Sequence, residues 1–287
     1  MATGDGDPDP LASAQRNAAA ARARSVRESN RAERHELLAQ QAGDELLRDV
    51  HLRMAEVHRS TASCHLTAAH LQEDYVARLA GWAGRRDAPR PPFMAGVAAA
   101  CGTSSAALTL VGATLDQLAV AASDEPARAA QELEFLLGEG PARDATSQIR
   151  PVSASGAALI DRWPGYGPAV AELGISEVAA VPLSLAGTCV GALAVFDPAP
   201  GIIGSQGFTE VAEALTTSMI LSPHDAPVLY GETDPRDLVH QAAGMLSVQL
   251  GCPVPDALEL IKAHAFTEGT SAESVATRIT QGTLRLG

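Results

Sequence analysis

The sequence predicts an α+β protein assembled in series: a long coiled-coil-like helix, an antiparallel sheet flanked by helices, and a C-terminal bundle of three helices. Three observations predict it. Between Arg31 and Arg86 there is no proline, and a heptad spacing of apolar residues runs through the stretch. From about Phe93 to Leu221 the pattern alternates between helical and strand-like segments. From Pro235 onward all segments are helical in character and are separated by glycines. The expected boundaries are 1–30 for a disordered N-terminus, 31–88 for the long helix, 93–222 for the sheet-containing unit and 234–287 for the bundle.

Residues 1–30 begin with Gly, Asp and Pro and continue as Ala/Arg/Ser sequence with little to bury, which predicts disorder, with frayed helix as the alternative for the later part. In the helix that follows, Leu47, Val50, Met54, Val57, Thr61, Cys64, Ala68, Leu71, Tyr75, Arg78 and Trp82 alternate three and four apart. This is the spacing of a coiled-coil seam, so the helix pairs with a partner helix or with the next domain. His51, His58 and His65 recur every seven residues beside that seam and read as solvated flanking residues or a metal- or pH-sensing stripe. Two helical turns separate them by roughly 10 Å, too far for one metal ion. Three prolines within 89–92 end the helix.

Phe93–Cys101 reads as a helix, and Ala106–Val111 and Gln117–Ala122 as short strands. Asp124–Leu136 reads as a helix capped by Asp124 or Ser123, with Pro126 in its first turn. Residues 137–145 form a glycine-punctuated loop, and Pro164–Leu173 another helix. Val178–Leu185 and Cys189–Asp197 make a hairpin, and Ser205–Leu221 is a helix capped by Ser205. Residues 222–233 form a second linker. Helices are then expected over Asp237–Leu250, from Pro255 to Thr267, and from Thr270 to Leu284, the last with a capping box of Thr270 and Glu273. Phe266 is expected in the core of this bundle.

Composition bounds the function. The chain of 287 residues is 46% hydrophobic and carries a formal charge of −13. Residues 1–90 hold 13 arginines against 13 acids, so the deficit lies entirely beyond them, and Lys262 is the single lysine. An acidic body repels phosphate at long range, so any nucleic-acid surface has to be local. Cys64, Cys101, Cys189 and Cys252 have no CxxC or zinc-ligand spacing and read as reduced thiols. The absence of a long apolar run or a signal-peptide pattern predicts a cytoplasmic protein without membrane contact. No Gly-x-Ser-x-Gly, Walker loop, HExxH or matched Cys/His set is present, so a non-enzymatic role is expected, with no cofactor identifiable.

The runs LEFLLGEGPARDA, DRWPGYGPAVAELGISEVAAVPL and GTCVGALAVFDPAPG make the middle unit resemble a GAF domain. The resemblance implies a sensory module with a ligand pocket on one face of an antiparallel sheet, and hence a small-molecule effector. Ala142 stands where a subgroup of that family often has cysteine, which leaves thiol chemistry at this loop unsupported. The C-terminal segment resembles an ANTAR domain, the RNA-binding output module of transcription antitermination regulators. The matching positions are Ala242, Gly244, Met245 and Leu246, then Gly251, Ala257, Ala265 and Phe266, then Val275, Ala276 and Ile279. That resemblance implies recognition of tandem hairpin loops in leader transcripts by a homodimer. Ala243 replaces a basic residue found in many members, and the segment has four basic against six acidic side chains. Lys262 and Arg278 are the expected phosphate contacts. His264 is expected to stack on or bond a base, Thr270 and Ser271 to donate at a helix N-terminus, and Arg285 to add charge. The competing expectation is a GAF scaffold for dimerisation or partner assembly, without RNA activity.

Overall fold

A computed structural model describes residues 9–83, 89–185, 187–220 and 235–286. The N-terminal region is a helical hairpin. Helix α1 runs over Pro10–Gln41 and α2 over Glu45–Trp82. Two expectations are corrected here. Residues 10–30 are helical rather than disordered, and the helix expected over 31–88 is interrupted at 42–44, where Ala42 is extended and Asp44 caps α2 by accepting from the Leu46 amide at 3.3 Å. The reason lies in the alanines. Ala14, Ala18, Ala21, Ser25, Ala32 and Ala39 line one buried stripe of α1 and face Ala55, Ala62 and Ala69 of α2. Small side chains let the two backbones approach closely, so dispersion over a long contact replaces the large apolar residues whose absence suggested disorder. Ser25 Oγ donates to the Ala62 carbonyl at 2.9 Å within this seam.

The histidine stripe lies at the hairpin contact. His35 of α1 inserts between His51 and His58, with ring centroids 5.3 and 5.4 Å away and Nδ1 of His35 3.1 Å from Nδ1 of His51. His58 Nδ1 lies 2.8 Å from Glu28. The heptad seam itself divides. Cys64, Ala68, Leu71 and Tyr75 are buried in a core shared with the sheet-containing unit, whereas Leu47, Val50, Met54 and Val57 stay exposed.

The second layer is a five-stranded antiparallel sheet: β1 (Ser105–Val111), β2 (Gln117–Ala122), β3 (Val152–Ser155), β4 (Glu177–Leu185) and β5 (Thr188–Phe196), in the order β2-β1-β5-β4-β3. Strand periodicity sorts its side chains into two cores. Ala106, Leu108, Val181, Leu193 and Val195 face α3 (Met94–Ala100) and α8 (Gln206–Ala214), on which α2 lies. Ala107, Val178, Ala180, Ala194 and Phe196 face α4 (Glu125–Leu137), α5 (Pro141–Gln148), α6 (Ala157–Arg162) and α7 (Tyr166–Glu172). Gly191 of β5 lies so close to β1 that a Cβ there would stand 2.0 Å from the Thr109 carbonyl oxygen. A helix, α5, occupies most of the stretch expected as loop, and α8 passes into a π-helical turn over Leu215–Ile220.

Three helices close the chain: α9 (Pro235–Leu250), α10 (Val254–Glu268) and α11 (Ala272–Thr280). Val239, Ala242, Ala243, Leu246, Ile261, Val275 and Ile279 form their shared core. Ala243 is therefore a packing residue here. The expected capping box is corrected: Ser271, not Thr270, caps α11, its hydroxyl accepting from the Ser274 amide at 3.1 Å. Among the described residues no helix is long and apolar enough to cross a membrane.

Candidate functional site

Helix α4 has two working faces. Ala127, Ala130, Gln131 and Glu134 turn toward the sheet, while Glu132, Phe135 and Leu136 turn toward the C-terminal helices. Phe135, 5% exposed, belongs to the core of the C-terminal bundle although it is carried by the sheet unit. Two cations stack on it: the Arg236 guanidinium 4.0 Å and the Lys262 ammonium 4.6 Å from its ring centroid. Partly desolvated contacts of this kind contribute about 1–2 kcal/mol each.

Glu132 completes the junction. One carboxylate oxygen accepts from Arg236 at 2.8 Å, and the other accepts from the Ala272 amide at 2.7 Å, the first residue of α11. A carboxylate at a helix N-terminus is favoured by the orphan amides and the helix dipole. His240 of α9 meets the Gln117 carbonyl of edge strand β2 at 3.0 Å. One ion pair, a cap, an aromatic ring and an edge-strand contact thus hold the bundle against the sheet.

A groove of about 710 Å³ lies along this junction, lined by Leu133 and Leu136 of α4, Leu173, Arg236, Phe266 and Ser271 among others. That volume falls within the range of small-molecule sites. Beside it, a 30 Å³ cavity is bounded by Thr109, Gln117, Glu134, Phe135, Arg143 and Lys262. The Glu134 carboxylate is buried and accepts from the Arg143 amide at 2.5 Å and from Gln131 at 3.2 Å. Burial dominates these bonds and pushes its carboxyl up to about 7. Near it, the Tyr166 hydroxyl and the Trp163 indole N–H are buried without a hydrogen-bond partner among the described residues. Burial likewise raises the thiols of Cys64, to about 11, and Cys101, to about 12, so neither is a ready nucleophile.

The structure separates the residues expected to contact RNA. Lys262 is buried, bonded to Glu259 at 2.8 Å and stacked on Phe135, so it does not offer a free charge to phosphate. His264 and Arg278 converge on Glu268, at 3.1 and 2.5 Å. The Arg278 hydrogen bond above all holds the Glu268 carboxyl below its usual range. Thr270 and Ser271 border the groove, and Arg285 is exposed near the C-terminus. Phe266, expected in the core, is 59% exposed at the groove. Phe135, Glu132 and Arg236 were not among the expected residues. The signal available for them is that α4 carries Leu133, Phe135, Leu136 and Leu137 around more of its circumference than one buried face requires.

No family model, curated protein or solved structure matches this chain.

Proposed function

We propose that this chain is a signal-responsive RNA-binding regulator of transcription antitermination, with a GAF-type sensory unit and an ANTAR-type output unit. The observation that carries the reading is the α4 junction. The three helices whose sequence resembles the output module rest on the sheet unit through Phe135, Glu132 and Arg236, with a ligand-sized groove along the contact. In the docked form Lys262 is occupied, which matches an output held off until a small-molecule effector shifts the junction. Release takes Lys262 off Phe135, leaving its one-turn pair with Glu259 to be exchanged for phosphate, and leaves Arg278 and Arg285 on the same small unit.

The test is crosslinking followed by sequencing of the captured RNA, comparing the full chain with its Lys262→Ala/Arg278→Ala variant. Enrichment of tandem short hairpins, lost in the variant, is the expected result. Equal recovery from both proteins overturns the RNA role of these two residues. A second reading, a scaffold without RNA activity, is favoured by the pairing of Lys262 with Glu259 and of Arg278 with Glu268. It predicts no RNA recovery even when the junction is opened by Phe135→Ala.

A further inference from the structure

The tip half of the α1–α2 hairpin carries an uncovered face. Leu47, Val50, Met54 and Val57 are 48, 46, 40 and 58% exposed and continue the same helix stripe that Cys64, Ala68, Leu71 and Tyr75 bury in the core shared with α3 and α8. Spaced three and four apart, they form a coiled-coil seam without its second helix. Four clustered apolar side chains in water mark an interaction surface rather than scattered exposure.

The adjoining row on α1 gives the chemistry of the partner. Arg24, Arg27, Arg31 and Arg34 recur at the same three–four spacing over about 15 Å of helix. Residues buried toward α2 (Ser25, Ala32, Ala39) fix the inward side of α1, and Ala55 and Ala62 fix that of α2. With the helices antiparallel, a 100° step per residue then puts the arginine row and the apolar seam on the same face of the hairpin. The ion pairs Arg22–Glu73 and Arg59–Glu36 lie on the opposite face. Arg31 pairs with Glu28, while Arg24, Arg27 and Arg34 make no ion pair among the described residues.

A second copy compensates this face poorly. A two-fold axis across the helices lays the apolar seam on itself but stacks one arginine row on the other. A two-fold axis along the helices and midway between them lays each apolar seam on an arginine row. The same axis centred on the seam pairs seam with seam but sets each arginine row beside the other copy's Arg53, Asp49 and Glu56, which offer two carboxylates and a further cation to four arginines. The other flank of the seam mixes Arg53 with Asp49 and Glu56, so an anionic lipid surface would meet carboxylates as well as cations there. The seam, for its part, needs an apolar cover that a phosphodiester backbone lacks.

We propose that this face docks an amphipathic helix of a partner protein, with apolar heptad residues against Leu47, Val50, Met54 and Val57 and a flanking row of Asp or Glu against Arg24, Arg27, Arg31 and Arg34. The docked helix would make the hairpin a three-helix assembly at its tip, independently of the α4 junction.

The test uses the full chain and two fluorescent helical peptides of about three heptads, with Leu at the seam positions and either Glu or Lys along one flank. The Glu peptide is expected to bind, and to weaken at least tenfold between 50 and 300 mM salt. Val50→Glu/Met54→Glu is expected to abolish binding, and Arg27→Glu/Arg31→Glu to reverse the preference toward the Lys peptide. These four positions are exposed or seam-facing on a preformed hairpin, so unchanged melting curves check the variants. Equal affinity for both peptides, or a charge swap that fails to reverse the preference, overturns the proposal. Concentration-dependent dimerisation lost in Val50→Glu/Met54→Glu also overturns it, assigning the face to a second copy. So does binding to phosphatidylserine vesicles or to RNA that is lost in Arg27→Glu/Arg31→Glu.

Discussion

Replacing Phe135 by alanine tests whether the C-terminal helices are a docked and separable unit. The ring is 5% exposed, sits in the bundle core, and carries Arg236 and Lys262 on its faces. Truncating a buried phenylalanine costs about 3–5 kcal/mol, and the two cations lose the ring on which they stack. Only contacts that differ between docked and free states move the docking equilibrium. Even the lower figure, about 3 kcal/mol at 1.4 kcal/mol per decade, shifts it toward the free state more than a hundredfold. Small-angle scattering and amide exchange read this directly. The radius of gyration should rise, and the Ala272 amide, whose acceptor is Glu132, should lose protection while the helical circular dichroism persists. An unchanged scattering profile with an unchanged Ala272 amide refutes the assignment of Phe135 as the anchor. Loss of the helical signal refutes the idea that the bundle stands without α4.

Three further outcomes follow from the packing. Glu134 has a folded-state value of about 7, above its unfolded value of 4.5, so its contribution is fully present below pH 4.5 and lost as pH rises through 7. The span corresponds to about 3 kcal/mol, and Glu134→Gln should flatten that decline in chemical-denaturation curves taken from pH 4.5 to 8. Gly191→Ala forces a Cβ against the backbone of β1 and should lower stability by more than about 3 kcal/mol or prevent soluble expression, whereas Gly244→Ala meets nothing within 4 Å in a helix interior and should raise the melting temperature slightly. His35 is held below the ordinary imidazole range by burial, then by His51, His58 and Arg34, and it faces the Glu28–His58 pair. Its contribution is present above the unfolded value of 6.5 and is lost as pH falls, so hairpin melting should drop between pH 7.5 and 5.5, and His35→Gln should reduce the drop.

Much of the architecture was legible because burial leaves a period in the sequence. The apolar runs of the hairpin at Val178–Leu185 and Cys189–Asp197 and the caps at Asp124 and Ser205 mark the same elements that the structure contains. The N-terminal hairpin was not legible for a physical reason. Alanine carries too little apolar surface to register as a core pattern, yet a long alanine seam suffices once a second helix lies against it. The same blindness affected the heptad frame, whose spacing is a property of one helix while its cover depends on tertiary placement. At the junction, Lys262 read as a surface cation because nothing in its own neighbourhood announces Phe135, more than a hundred residues earlier. Phe266 read as core because aromatic residues usually are, and it lies instead on the rim of the groove. Ala243 read as a lost contact and is a packing residue in a tightly spaced bundle.

The hairpin also has a mechanical consequence. Its base packs on α3 and α8, and its tip extends on the order of 30 Å further at 1.5 Å per residue. Interlocked alanines make such a pair of helices bend little along its length. A tilt of about 5° at the base therefore sweeps the tip through roughly 3 Å, comparable to the spacing of two hydrogen-bonded atoms. Slight repacking beneath Leu71 and Tyr75 would thus be delivered at the far end as a displacement large enough to engage or break a contact, with the hairpin acting as a lever arm.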